Sequence, residues 1–428
     1  MAAPTKSLLA LSALLALASC GGGGGDAGSS QPPAPAPAPV GSGVSAGDFR
    51  VNSSTPGRQT LGRGAVAQLA DGGHVAVWTS RLAEGASVRL QRFDANGLAT
   101  GLETLVAARG ESAAVAPLAD GGFVVTWNGT PGSGGPGLMQ RYSALGVPLG
   151  VPLRFNLIDG VFFLEPRPVL LADDHLLLVW TFTTAGRTGT PQAAMRLFNP
   201  DGTAASPEFA LLPQLGSLDA AALPDGGFVI AWDATELVGN RLQSVVRTRV
   251  FNADASLRRA DLAVPAVAGA DARDPTVAAL ADGRFALAWE RALDSNTSRV
   301  EVQLYPATGV AAASAPLAVG ADGGAFPRPA VAGLPAGGFA VAWHQVQERE
   351  QTSRRTTLLP RFAATGGRRG NPVTIGSAEV SGTAGADADL RFNDRLALAP
   401  SAADGVLLLR QHPDADAPRD WDVLGALR

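Results

Sequence analysis

The chain of 428 residues is 46% hydrophobic and 17% charged, with a formal net charge of −4 at pH 7. So small a charge over this length excludes the basic surface of a nucleic-acid-binding protein, while the hydrophobic fraction suffices for a large core. Cys20 is the only cysteine, which excludes a disulfide within the chain.

The first nineteen residues are predicted to be an export signal. Lys6 supplies the positive charge, Leu8 to Leu17 the apolar stretch, and Leu17-Ala-Ser-Cys20 the cleavage region. The apolar stretch is too short to span a bilayer. The final tetrapeptide resembles the lipobox of bacterial lipoproteins, a family in which this cysteine is acylated and becomes the first mature residue. The resemblance implies a lipid anchor, palmitate included, on Cys20 and a place in the cell envelope, at the outer membrane. The alternative is a plain secretory signal.

Residues 20–47 are predicted to be a tether. Five glycines follow Cys20, and Pro32-Pro-Ala-Pro-Ala-Pro-Ala-Pro39 is expected to be extended, at about 3.1 Å per residue in polyproline geometry. The segment has too little apolar surface to bury and is predicted to be disordered. Its expected role is to hold the following domain, residues 48–428, away from the bilayer.

The sequence of that domain repeats. Leu69-Ala-Asp-Gly-Gly-His-Val-Ala-Val-Trp78 recurs at intervals of 49 to 57 residues, and a degenerate seventh copy runs from Ala403 to Arg410. The other copies end at Trp127, Trp180, Trp232, Trp289 and Trp343. A fixed period near fifty residues indicates a repeat architecture.

Each repeat is predicted to form four short antiparallel strands. The first is apolar and ends at Asp-Gly, a type I′ turn leads into the second, and the second is apolar on both faces up to its tryptophan. A second motif, Gln91-Arg-Phe-Asp-Ala-Asn-Gly97, supplies a third strand that ends in an aromatic residue, and a short fourth strand follows. Four such strands describe a blade of a β-propeller.

The two ends of the domain complement each other. The last repeat ends after Trp421-Asp-Val-Leu-Gly425 without a fourth strand, while Asp48-Phe-Arg-Val-Asn52 precedes the first repeat and is similar to the fourth strand at Leu153–Asn156. The predicted fold is therefore all-β, a seven-bladed β-propeller whose N-terminal strand pairs into the last blade. Closing the ring in this way removes exposed sheet edges.

Both motifs together carry a family resemblance. The pattern LADGGFVVxW…QRFDxxG resembles repeat units of large secreted and cell-surface proteins of bacteria, and the resemblance covers residues 48–428. It implies an extracytoplasmic propeller and no particular chemistry.

A search of the sequence for chemistry finds no catalytic constellation. There is no His-Glu-x-x-His motif, and Lys6 is the only lysine, so no phosphate-binding loop is present. The four histidines fall in different repeat registers, and the tryptophans and turn aspartates occupy registers typical of packing and turns. No metal or cofactor is therefore predicted. Weak calcium binding near Asp387 and Asp389 is left open, although Arg391 stands where an EF-type loop needs an oxygen ligand.

Differences between the repeats mark a predicted binding face. The turns after the first and third strands are short and regular, whereas the connections after the second and fourth strands vary and lie on the opposite face. Ile158–Glu165 is predicted to be a loop that carries two adjacent phenylalanines. Arginines recur just before first strands, which line the channel of a propeller, and they either ring its mouth or are solvated: Arg63, Arg167, Arg273, Arg328 and Arg391. The candidate binding face consists of Phe162, Phe163, Glu165, Arg167, Arg273 and Arg328.

These observations predict a monomeric, membrane-anchored propeller that binds a protein or glycan of the cell envelope and is not an enzyme. The alternative is a glycan-active enzyme, a hydrolase or lyase, with its site at the channel mouth. Clustered carboxyl groups with raised pKa values at the mouth would favour the enzyme. An apolar patch on the loop face would favour a partner protein.

Overall fold

The computed structural model describes residues 47–54, 56–129, 135–159, 162–184, 189–213, 215–310, 315–320, 323–324, 327–349, 352–381, 395–413 and 421–428. The chain divides into two units, Met1–Ala36 and Pro37–Arg428, and the described residues all belong to the second unit. The predicted export signal, Cys20, the tether to residue 46, Asp387, Asp389 and Arg391 lie outside them. Within the described ranges, no helix is long and apolar enough to span a membrane.

The second unit consists of strands that follow the sequence repeat. Two short strands come first, β1 (Asp48–Arg50) and β2 (Arg58–Thr60). The first and second repeats form β3 (Val66–Gln68), β4 (His74–Leu82), β5 (Gly85–Phe93), β6 (Ala99–Ala107), β7 (Glu111–Pro117), β8 (Phe123–Asn128), β9 (Gly137–Tyr142) and β10 (Pro148–Arg154). The third and fourth form β11 (Phe162–Leu170), β12 (Leu176–Thr183), β13 (Gln192–Phe198), β14 (Phe209–Pro213), β15 (Leu215–Ala222), β16 (Phe228–Val238), β17 (Arg241–Phe251) and β18 (Leu257–Ala263).

The later repeats follow the same order. The fifth and sixth form β19 (Asp271–Ala279), β20 (Phe285–Ala292), β21 (Thr297–Tyr305), β22 (Leu317–Ala318), β23 (Gly323–Gly324), β24 (Ala330–Gly333), β25 (Phe339–Arg349), β26 (Thr352–Phe362) and β27 (Arg368–Ser381). The seventh forms β28 (Ala397–Ser401), a 3-10 turn at Ala402–Asp404, β29 (Gly405–Pro413) and β30 (Trp421–Leu427).

Most repeats form one antiparallel sheet each. Repeats two, three, four and six each give a four-stranded sheet in chain order, and repeat five does the same with β23 added beside β21. Repeats one and seven share a nine-stranded sheet, because β2 pairs with both β4 and β30. These four-stranded antiparallel sheets confirm the all-β part of the predicted fold class.

The two sequence motifs meet inside each sheet. In the second repeat, Phe123 at the start of β8 lies opposite Tyr142 at the end of β9, and their rings stack with centroids 5.0 Å apart. The same stack recurs as Phe228–Phe251, Phe285–Tyr305 and Phe339–Phe362. Such pairs contribute about 0.5–1.5 kcal/mol beyond their buried area. The six repeat tryptophans are at most 4% exposed, so they pack in the core.

The turn between the first and second strands differs from the predicted type I′. In the first repeat, Gly72 has a φ of 81° and donates its amide hydrogen to the carbonyl of Leu69, while the amide of Leu69 donates to the carbonyl of Gly73. A type I turn followed by one left-handed residue is a three-residue hairpin loop, whereas type I′ needs two left-handed residues. Asp71 accepts a hydrogen bond from the amide of Gly73 at 2.9 Å, which explains the aspartate at this position.

The first strands of successive repeats lie side by side. Contacts run from β3 through β7, β11, β15, β19 and β24 to β28, and β28 in turn contacts β3. At the N-terminus, β1 pairs antiparallel with β30, with Phe49 opposite Gly425. The first strands therefore border a common space, and the polar groups that project into it form the candidate site.

Candidate functional site

One register position gathers charged side chains at the start of the first strands. It lies eight residues before the turn aspartate, or before the equivalent residues Ala336 and Ala403 in repeats six and seven. Its occupants in repeats one to seven are Arg63, Ser112, Glu165, Ser217, Asp274, Arg328 and Arg395. The backbone is left-handed at Ser112, Asp274 and Arg328, with φ of 57°, 55° and 45°. Residues other than glycine rarely adopt this conformation, and they keep it where the surrounding structure imposes it. The position is therefore specialised.

Four of these side chains form one ion-pair network. Arg63 pairs with Asp274 and, at 3.5 Å, with Glu165; Arg395 pairs with Glu165 at 2.6 Å and with Asp274 at 3.3 Å. Burial alone would raise the pKa of Asp274, but the guanidiniums of Arg63, Arg395 and Arg328 together hold it well below its usual range. Asp274 is therefore a permanent anion, and the four paired groups balance in charge.

A second, neutral pair lies two residues further along the first strands. Arg167 Nε donates to Asp219 Oδ1 at 2.7 Å, and Asp219 also accepts hydrogen bonds from the Thr276 hydroxyl and the Val277 amide, both at 3.0 Å. Gly64 makes room for this pair, because a Cβ on its left-handed backbone would lie 1.8 Å from Arg167 Nη1. The pair joins β11, β15 and β19 to one another.

Asp233 directly follows the repeat tryptophan Trp232 and is buried. Its Oδ1 accepts hydrogen bonds from the amide and the hydroxyl of Ser217, at 2.5 and 2.8 Å. Burial raises the pKa of Asp233, and the charge of Asp274 acts in the same direction, against the hydrogen bonds from Ser217. The carboxyl groups of Asp233 and Asp274 thus have pKa values displaced in opposite directions. Displacement of this kind is typical of a proton donor beside an anion.

A cavity of about 50 Å³ opens beside Arg63 and the Arg167–Asp219 pair. Its polar lining consists of Arg63, Arg167, Arg328, Arg395, Asp219 and Thr276. Arg328 differs from the other three arginines, because its side chain makes no hydrogen bond or ion pair to any residue in the described ranges. In the same ranges, no three His, Cys, Asp or Glu side chains are grouped to hold a metal ion.

The structure brings together part of the predicted binding face. Glu165, Arg167 and Arg328 meet at or beside the cavity. Arg273 does not line it and instead pairs with Glu290 at 2.9 Å. Cys20 and Arg391 lie outside the described residues.

The prediction that Phe162 and Phe163 lie in a loop is wrong. Both residues belong to β11, where Phe162 lies opposite Thr183 and Phe163 opposite Phe182. The pairing register shifts between Phe163 and Pro166, and this irregularity lets the strand continue across two prolines. The two phenylalanines are thus part of a sheet and not of an exposed connection.

Sequence reasoning missed three of the four acidic residues of the site and one of its arginines. Asp219, Asp233, Asp274 and Arg395 were not singled out, although two signals identify them. The first is the register eight or six residues before the turn. The second is the residue after each tryptophan, which is polar and buried in six repeats: Thr79, Asn128, Thr181, Asp233, Glu290 and His344.

No family model and no curated protein matches the chain. Among solved structures, it is similar to an ulvan lyase, described as a new family of polysaccharide lyase and bound to a GlcA–Rha3S saccharide, at 9% identity over 88% of this chain and 95% of that one, with a TM-score of 0.49. It is also similar to the α-L-arabinanase of Penicillium chrysogenum complexed with arabinobiose, at 11% identity over 88% and 96% of the two chains, with a TM-score of 0.45. An α-L-arabinofuranosidase of Fusarium graminearum with an iminosugar inhibitor gives 12% identity over 78% and 97%, with a TM-score of 0.46.

The prediction that the protein is not an enzyme is corrected, because its premise fails. The sequence had offered no catalytic constellation, but folding brings the carboxyl groups of Asp233 and Asp274 close together. Asp274 pairs with Arg63 and Arg395, which line a cavity. At such low identity the likeness concerns the fold, and the reaction has to be argued from the residues themselves.

Proposed function

We propose that the protein is a glycan-active enzyme that hydrolyses a glycosidic bond at the mouth of the channel between the first strands. The observation that carries the proposal is the pair of neighbouring carboxyl groups of Asp233 and Asp274. Burial raises the pKa of Asp233, which favours its protonated form, while the guanidiniums around Asp274 lower the pKa of that carboxyl. Sites that perform acid–base chemistry near neutral pH are built from titratable groups whose pKa values are pushed apart in this way.

The chemistry needs a proton for the leaving oxygen and a water for the anomeric carbon. Asp233 gives its proton to the glycosidic oxygen as the carbon–oxygen bond breaks. The oxygen of the water bonds to the anomeric carbon, and the proton that the water gives up returns to the carboxylate of Asp233. The polar lining, four guanidiniums with a carboxylate and a hydroxyl, suits a hydroxyl-rich ligand and not an apolar one.

The proposal includes a closed ring of seven blades. The pairing of β1 with β30 and the contact of β28 with β3 support it. In such a ring, the channel mouth with Arg63 and Arg328 lies on the same face as the variable connections after the second and fourth strands. A long glycan would cross these connections as its cleaved bond reaches Asp233.

The Asp233→Asn variant tests the reaction. We expect wild-type protein to release new reducing ends from at least one member of a panel of neutral, uronate-containing and sulfated polysaccharides, and the variant to lose at least about a hundredfold of that rate, since general acids contribute about 10²–10⁴-fold. Its melting temperature at pH 7 should be unchanged or higher. A folded-state pKa above the unfolded value of about 3.9 means that ionisation costs stability as the pH rises, and asparagine removes this cost.

The pH dependence supplies a second measurement on the same pair of proteins. The wild-type rate should be highest where Asp233 is protonated and should fall as the pH rises through its raised pKa. Asp225→Asn is the matched control, because Asp225 lies in the turn of the same repeat, is half-exposed, and pairs with Arg258. No cleavage of any panel member by wild-type protein, or full activity in Asp233→Asn, would overturn the proposal.

The proposed place of this activity is the cell envelope, through a lipid on Cys20. The Cys20→Ser variant should appear in the soluble fraction after cell fractionation, because it has no acyl chains to partition into the bilayer and stable anchoring needs more than one chain or signal. Wild-type protein should remain with the membranes. Retention of the variant in the membrane fraction would contradict the lipoprotein hypothesis.

A further inference from the structure

Among the described residues, the cavity holds one more positive charge than its ion-pair partners neutralise. Arg63 and Arg395 share Glu165 and Asp274, and Arg167 is matched by Asp219. The fourth guanidinium, that of Arg328, has no carboxylate within ion-pair distance among the described residues, and its Nε is buried without an acceptor. Asp233 accepts hydrogen bonds from Ser217 and makes no ion pair with Arg328.

Arg328 also occupies its position against two unfavourable effects. Its backbone has a φ of 45°, in the left-handed region that a long side chain rarely adopts. Burial is the largest influence on the pKa of Arg328 and lowers it. Asp274 and Glu165 raise that pKa, Arg395 and Arg63 lower it, and arginine stays protonated in proteins. A partly buried charge with no carboxylate at ion-pair distance destabilises a fold, and such local conflicts concentrate at functional sites.

We propose that Arg328 binds an anionic substituent of the glycan, the carboxylate of a uronic acid or a sulfate ester, inside the cavity; this rests on the proposed function. The guanidinium presents its donors as a planar fork that fits two oxygens of such a group. The cavity volume of about 50 Å³ corresponds to three or four water molecules at roughly 10–15 Å³ each. It therefore accommodates the anionic group alone, and the sugar ring lies outside it.

The test compares three small probes on the full-length protein in detergent by isothermal titration calorimetry: methyl β-D-glucuronide, methyl β-D-glucoside and methyl β-D-glucoside 6-sulfate. The first two differ only at the carboxylate. We expect at least one anionic probe to bind wild-type protein tenfold or more tightly than the neutral glucoside. The Arg328→Gln variant should lose this preference, while its melting temperature stays equal or rises. The control is Arg284→Gln, since Arg284 is half-exposed in a turn and pairs with Asp282.

The outcomes separate the two proposals. A preference for the glucuronide assigns the substituent to a uronate, and a preference for the sulfate assigns it to a sulfate ester. Equal affinities for all three probes, or a preference that persists in Arg328→Gln, would refute the role of Arg328. Because the measurement is binding and not turnover, a protein that discriminates among the probes but cleaves nothing would refute the enzyme alone. A protein that cleaves only neutral glycans would refute the anionic substrate alone.

Discussion

Deletion of residues 48–53 should lower the melting temperature of the protein by about 6–20 °C, whereas deletion of residues 21–46 should leave it unchanged. The first deletion removes β1, which pairs with β30 near the other end of the chain. It also removes the carboxylate of Asp48, which pairs with Arg410 at 2.6 Å and with Arg428 at 2.8 Å. Arg410 is 3% exposed and would stay buried without its counter-ion.

Breaking a buried ion pair by removing one partner costs about 3–5 kcal/mol. In domains of 150–250 residues, 1 kcal/mol shifts the melting temperature by roughly 2–4 °C, which gives the range stated. Asp48→Ala should reproduce much of the loss, and Asp71→Ala, at a half-exposed turn position, should not. Equal melting temperatures for the two deletions would mean that β1 does not stabilise the last repeat.

The sequence was sufficient for the repeat and for the strand order within it, because both follow from local patterns. Asp-Gly turns and the aromatic residues of the second and third strands recur at one period, and the structure stacks those aromatics on each other, as Phe123 does on Tyr142. The same local patterns misled at Phe162, since a strand that continues through an irregular register looks like a loop with two phenylalanines.

The site was only half predictable, because its partners come from different repeats. Arginines before the first strands suggested a charged channel mouth, but proximity to a strand is not the same as register. Arg273 lies one residue before the specialised position and pairs elsewhere, while Arg395 occupies the position in the seventh repeat. Counting eight residues back from Ala403, Asp282 and Asp225 in the turns would have selected Arg395, Asp274 and Ser217. The displaced pKa of Asp233 depends on burial, which no single-repeat pattern reports.

The Asp274→Asn variant should lose about 3 kcal/mol of stability at pH 7, measured by chemical denaturation. Asparagine tolerates the left-handed backbone that this position requires, so the change isolates the charge. Arg63 and Arg395 would then share Glu165 alone, and the loss falls at the lower end of the roughly 3–5 kcal/mol typical of broken buried pairs. Asp282→Asn, in the turn of the same repeat, is the control, because its partner Arg284 is half-exposed and such surface pairs contribute about 0–1 kcal/mol.

The pH dependence of that difference gives the sharper test. Asp274 has a depressed pKa in the folded protein, so its ion pairs stabilise the fold above the unfolded-state pKa of about 3.9, and this contribution is lost as the pH falls through the folded-state value. The gap between wild-type protein and Asp274→Asn should therefore be full at pH 7 and narrow on acidification below about pH 4. A gap that stays constant down to low pH would mean that asparagine harms packing and not charge balance. No gap at pH 7 would mean that the arginines do not need Asp274 as a counter-ion. The inference that Arg328 lacks a matching charge among the described residues would then lose its basis.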